Sequence, residues 1–140
     1  MKSVLVAVDG SPSSLKGVAH AAELAKALGL KVELVHVLPP VLLSPAVYAE
    51  VISKLEAGNK DAARKIFDEA LRVVRAVGVE AETVMLDGAP AEALADLAQA
   101  DRVWGVVIGA RGHSAVSRVL LGSIADRLVH ICSKPVLVVR

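Results

Sequence analysis

SVLVAVDGSPSS, residues 3–14, runs from Val4 through Val8 with no polar residue, then turns sharply polar. A half-buried strand would alternate. An unbroken Val-rich run instead suits a strand covered on both faces, as in parallel sheets. Asp9 and Gly10 end the run, which predicts a first strand over 3–9. Ser11 can then cap a helix that has Pro12 at its first position. Leu15, Val18, Ala19, Ala22, Ala25 and Leu28 fall on one helical face, and Gly29 supplies the stop. A buried strand feeding directly into a helix is the opening of a strand–helix–strand crossover.

The remaining chain repeats that alternation. KVELVHVL (31–38) reads as a second strand in which His36 sits at an alternating position. PPVLLSPAVYAEV is broken by prolines and runs into a helix of indistinct start. From Asn59 or Lys60 to Val77 the pattern is helical, with Ala62, Ile66, Ala70, Val73 and Val77 at three- and four-residue steps. VEAETVML (79–86) is a third strand, and Pro90 opens a helix to about Ala98 with Glu92 near its positive end. VWGVVIG (103–109) is a fourth strand, in which Gly105 marks a bulge candidate. Ser123 and Asp126 form an S-x-x-D cap for a helix to about Ile131. PVLVVR (135–140) is the fifth strand. The expectation is a single α/β domain over 1–140: a doubly wound parallel sheet, helices on both faces, right-handed crossovers.

Composition narrows the function. The 140 residues are 54% hydrophobic and 22% charged with a net charge of +1, which is globular and too balanced for a nucleic-acid binder. Aromatic residues make up only 2%, so stacked bases would find few platforms. The single cysteine, Cys132, cannot form an internal disulfide and reads as a small packed residue. MKSVLVAVDG has no long apolar segment before a cleavage site, and no uncharged run reaches membrane-span length. A soluble, cytoplasmic protein without membrane or nucleic-acid partners is expected.

Two strand ends carry unusual polar residues. The first ends in Asp9-Gly10-Ser11 and the fourth in Gly109-Ala110-Arg111-Gly112. In open α/β sheets ligands sit beyond the carboxyl ends of strands, where strand order reverses. If these strands are neighbours, the two loops share one crevice. Gly109 and Gly112 would let backbone N–H groups approach an anion. Gly122 and Ser123 open a helix whose free N–H groups attract negative charge. Between Asp101 and Asp126 there is no acid, and Arg111 and Arg118 are the fixed cations of the loop. Neither a Walker motif nor G-x-G-x-x-G is present. Asp9 reads either as a turn residue or as a metal or ribose contact, and His113 is a candidate ligand contact. No histidine has metal-site spacing, and no Ser-His-Asp or Cys-His set assembles. The loop reads as a phosphate holder rather than a fast hydrolase.

VLVAVDGSPSS, LVHVL, the Gly109-x2-Gly112-x9-Gly122-Ser123 spacing and the closing SIADRLVHICSKPVLVVR together resemble the nucleotide-binding branch of the universal stress proteins, over nearly the whole chain. The resemblance implies a five-stranded sheet in order 3-2-1-4-5, which places strands one and four side by side. It implies ATP, ADP or AMP as ligand, with Mg²⁺ or Mn²⁺ held mainly by the phosphates. Ala7 and Val37 would line the base and Asp9 the adenosine. Ile108 and Gly109 would lie near ribose. Gly112, Gly122, Ser123, Ile124 and Ala125 would take phosphates, beside Arg111. It also implies a homodimer through 135–140 and a stress-response or signalling role with an unidentified protein partner. Trp104-Gly105 departs from the family's more usual Ala-Asp. A slow ATPase of similar fold is the alternative, against which the thin acid–base equipment argues. A protein that has lost its ligand is a third reading, against which the intact glycines argue.

Overall fold

The computed structural model describes residues 1–38, 40, 44–111 and 120–140. Elements follow in the order β1 (Ser3–Ala7), α1 (Pro12–Leu28), β2 (Lys31–Leu38), α2 (Pro45–Ala76), β3 (Ala81–Asp87), α3 (Pro90–Ala98), β4 (Val103–Gly109), α4 (Ser123–Ile131) and β5 (Val136–Val139). All strand pairs are parallel, and the sheet order is β3-β2-β1-β4-β5. β1 is therefore central, and the order reverses between β1 and β4.

The apolar run of β1 does what its pattern demands. Val4 and Val6 pack with α1 and α2 in a cluster that holds Val18, Ala22, Phe67 and Val74. Leu5, between them, packs with Leu94, Ala98 and Leu128 of α3 and α4. All three are fully buried. Fully burying such a side chain contributes roughly 1.5–3 kcal/mol. With few aromatics, the core is filled by short Val, Leu and Ala side chains that let helices sit close to the sheet.

Several elements differ in detail from the sequence reading. β1 stops at Ala7, because Asp9 already belongs to a turn that caps α1. α1 buries Ser14, Gly17, Val18, Ala21, Ala22 and Ala25, while Ala19 and Leu28 face outward. The face is rotated because small residues, not large ones, meet the sheet. α2 begins at Pro45, much earlier than Asn59, since Pro45 occupies the first turn, where a missing N–H costs nothing. Its buried stripe is Ala63, Phe67, Ala70 and Val74. β3 is shifted to Ala81–Asp87, and β5 is confined to Val136–Val139.

The expected irregularity at Gly105 is present. Ser3 pairs with Val103 but Val4 pairs with Gly105, so Trp104 is the extra residue of a bulge. A Cβ on Gly105 would lie 2.7 Å from the Pro135 carbonyl oxygen. That oxygen accepts from the Val106 N–H at 2.8 Å, which brings β5 in beside β4. Glycine at 105 thus lets the last strand approach.

Near the same amino-terminal end of the sheet Glu33 is buried on β2. Its carboxylate accepts from the Ser3 hydroxyl at 2.6 Å and from Arg102 Nε and Nη2 at 3.0 Å each. Burial pushes the Glu33 carboxyl up, but the hydrogen bonds from Arg102 and Ser3, with the guanidinium charge, hold it below its ordinary value. Lys134 Nζ donates to the Val103 carbonyl at 2.8 Å, near the end of α3. The amino-terminal edge is therefore fastened by polar groups, and the carboxyl-terminal edge is where the chain opens.

Candidate functional site

β1 and β4 are paired neighbours, so the chain leaves the sheet after Ala7 and after Gly109 side by side, at its carboxyl-terminal end. Two helices reach it from opposite faces. α1 follows β1 and packs on one face; α4 follows β4 and packs on the other.

Their amino termini are treated differently. That of α1 is closed by side chains. The Ser11 hydroxyl accepts the Ser14 N–H at 3.1 Å, and Asp9 Oδ1 accepts the Ser11 N–H at 2.8 Å. The Asp9 N–H in turn donates to Ser14 Oγ at 3.3 Å. α4 has glycine at its N-cap, and among the described residues no side chain caps it. Its N-cap is Gly122, not Ser123, which corrects the S-x-x-D reading. Ser123 is the first helical residue, and it is exposed. The N–H groups of Ser123, Ile124 and Ala125 have no intrahelical acceptor, as in any first turn. The Gly122 N–H donates to the Ala110 carbonyl at 2.6 Å, which seats this helix end directly on the end of β4. An open helix amino terminus carries partial positive charge and suits an oxyanion.

An apolar wall adjoins it. Ala7 at the end of β1, Val37 on β2 and Ile108 on β4 all point to the α3/α4 face of the sheet, packed in one cluster with Leu121 and Ala125. Ala7 and Val37 remain partly exposed, whereas Ile108 and Ala125 are buried. Ile124 is exposed. The structure therefore gathers Ala7, Val37, Ile108, Gly122, Ser123 and Ala125 at one end of the sheet, with Asp9 in the adjoining turn. Arg111 follows β4, and its N–H donates to Ser13 Oγ at 3.3 Å. Gly112, His113 and Arg118 lie outside the described residues.

Gly109 has a reason the sequence reading missed. A Cβ there would lie 2.5 Å from Ser13 Oγ and 2.7 Å from the Ser13 carbonyl oxygen. It points away from the α3/α4 face and into α1. Its glycine is required by the helix, with or without an anion nearby. Three further residues went unassigned. Ser13 and Ser14 bond the two loops, and His36 Nδ1 lies 2.7 Å from the Val8 carbonyl oxygen. Repeated serine after Asp9-Gly10 was visible; the partner of His36 across the strand was not.

Among the described residues no group of three or more His, Cys, Asp or Glu side chains could hold a metal ion. Among the same residues no helix is long and apolar enough to cross a membrane.

The whole chain, residues 1–140, matches the family model described as the universal stress protein family. A universal stress protein of Methanocaldococcus jannaschii is 31% identical over 142 residues, covering 99% of this chain and 82% of that protein. The solved universal stress protein of Archaeoglobus fulgidus in complex with dAMP is 25% identical, with a TM-score of 0.74 over 100% of this chain and 98% of that one. A universal stress protein solved in complex with cAMP is 28% identical, with a TM-score of 0.70, covering 99% and 96%. Sheet order and sequence agree: this chain belongs to the universal stress protein family.

Proposed function

We propose that this chain is a nucleotide-binding member of its family, taking ATP, ADP or AMP between the ends of β1 and β4 and serving as a stress-response or signalling module. The observation that carries the reading is the contrast between two helix termini at one crevice. The end of α1 is satisfied by Ser11, Ser14 and Asp9, while among the described residues no side chain caps the end of α4, which adjoins an apolar wall. A ligand with an anionic end and a flat apolar end fits that pair of surfaces. Relatives solved with dAMP and cAMP support adenine as the flat end.

In this reading Ala7 and Val37 line the base, and Asp9, Ile108 and Gly109 border the ribose. Gly112, Gly122, Ser123, Ile124 and Ala125 receive phosphates, with Arg111 close by. Any Mg²⁺ or Mn²⁺ would be carried mainly by the phosphates. The protein acts in the cytoplasm, and occupancy alters how it meets a second copy or another protein. β5 forms an edge of the sheet with Leu137 exposed, so pairing of two β5 strands is the expected homodimer contact.

The test is calorimetric titration of ATP, AMP and adenosine into the wild-type chain and into a Gly122→Val, Ser123→Ala variant whose circular dichroism matches it. The variant should lose ATP binding while adenosine binding falls less, because only the phosphate end has changed. Unchanged ATP affinity would remove phosphates from α4. Phosphate release followed over hours, with and without Mg²⁺, separates a holder from a slow ATPase.

A further inference from the structure

We infer that His36 is a positioning residue for nucleotide binding, acting through Asp9 by fixing the peptide unit between Val8 and Asp9. The inference rests on the nucleotide-binding reading above. A peptide unit is rigid and planar, with its C=O and N–H on opposite sides. Here both ends of this one unit are held by side chains. The Val8 carbonyl faces His36 Nδ1 at 2.7 Å, and the Asp9 N–H donates to Ser14 Oγ at 3.3 Å.

A carbonyl oxygen can only accept, so Nδ1 carries the proton and donates. The ring cannot swing freely, because Phe67 of α2 meets it edge-on, with centroids 6.2 Å apart and planes at 85°. β2 therefore reaches over from one side and α1 from the other. β1 has already ended at Ala7, and the Val8 N–H makes one more bond, to the Val35 carbonyl. From there His36 and Ser14 hold the peptide unit from which the Asp9 side chain springs, and the Ser11 N–H bonds its carboxylate. His36 itself lies on the α1/α2 side with Phe67, away from the apolar wall of Ala7, Val37 and Ile108. It shapes the site without lining it.

The experiment is a double-mutant cycle read by AMP titration. Asn and Gln distinguish the two ring nitrogens, since an Asn carboxamide puts an N–H near the place of Nδ1 and a Gln near that of Nε2. His36→Gln should weaken AMP binding by about tenfold, the scale of one good hydrogen bond, and His36→Asn should restore most of it. In an Asp9→Ala background, His36→Gln should add nothing further. In the wild-type chain, ¹⁵N spectra should show His36 protonated at Nδ1, and the Asp9 amide signal should move in His36→Gln but return in His36→Asn. Equal affinities of wild type and His36→Gln overturn the inference, as do losses that simply multiply in the double variant or a bare Nδ1. A wild-type chain that binds no adenine nucleotide overturns the underlying reading and this one with it; binding with an additive cycle overturns this one alone.

Discussion

Ser13 occupies the place where a side chain on Gly109 would begin: its carbonyl oxygen lies 2.7 Å from that point and its carbonyl carbon 2.8 Å. Backbone cannot step aside as a flexible side chain can. Gly109→Ala should therefore destabilise the ligand-free protein by about 1–3 kcal/mol, the usual cost of overpacking. Thermal unfolding without nucleotide checks this. An unchanged melting temperature would show that α1 can back away from β4.

Asp9 is expected to act on affinity more than on folding. Its Oδ1 accepts the Ser11 N–H, a bond that an amide oxygen can also accept. Asp9→Asn should hold the unfolding temperature within a degree or two while weakening nucleotide binding severalfold. Asp9→Ala should lose both, the fold by about 1 kcal/mol for the missing turn bond. Titration and thermal unfolding of both variants separate the two roles. If Asp9→Asn binds as wild type does, the carboxylate charge is not part of the site.

Dimerisation through β5 is best probed at Leu137. Val136 and Val138 pack against the α3/α4 cluster, so a charge there would also injure the single chain. Leu137 is 42% exposed. Leu137→Glu should give monomers by light scattering with little change in circular dichroism. A dimer that survives it places the contact elsewhere.

Glu33 makes a pH prediction. Its folded carboxyl titrates below the ordinary 4.5, so the unfolded chain binds more protons as the pH falls through this range. The stabilisation is complete above the ordinary carboxylate range and is lost as pH drops through the depressed folded value. Arg102→Ala should lower stability by about 2 kcal/mol near neutrality, moderated because Arg102 is half exposed. The gap from wild type should narrow as the medium is acidified toward pH 3. Urea melts across pH 3–7 would show it, and a constant gap would mean that Glu33 is not the group responsible.

Much of this was legible in the residues for identifiable reasons. Val4-Leu5-Val6 could only be buried on both faces, and Gly105 announced its bulge. Sheet order was not readable from periodicity and came from the resemblance carried by the spaced glycines. The start of α2 was hidden because Pro39, Pro40 and Pro45 look alike in sequence, and it is Pro45 that opens the helix. Its buried stripe was misplaced by one position because Ala62 and Ala63, Ile66 and Phe67, and Val73 and Val74 are adjacent apolar pairs. At the site, Gly109 has a packing reason the spacing did not reveal, the closeness of Ser13, and Ser123 follows its helix cap instead of being it. His36 could not be assigned, since its partner is the Val8 carbonyl, just past the end of β1 and 28 residues away.

The central place of β1 has a consequence for the order of events on the ribosome. β1 emerges first and finds β2 soon afterwards, but its other neighbour, β4, leaves the tunnel only after three helices and two more strands. Through most of synthesis one long side of β1 has unsatisfied backbone, and α1 has no Gly109 to rest against. Non-local pairing of this kind is slow and leaves sticky intermediates. The nascent chain should thus be most vulnerable to clumping just before Val103 arrives, and a chaperone that shields one strand edge would help it more than one that holds helices.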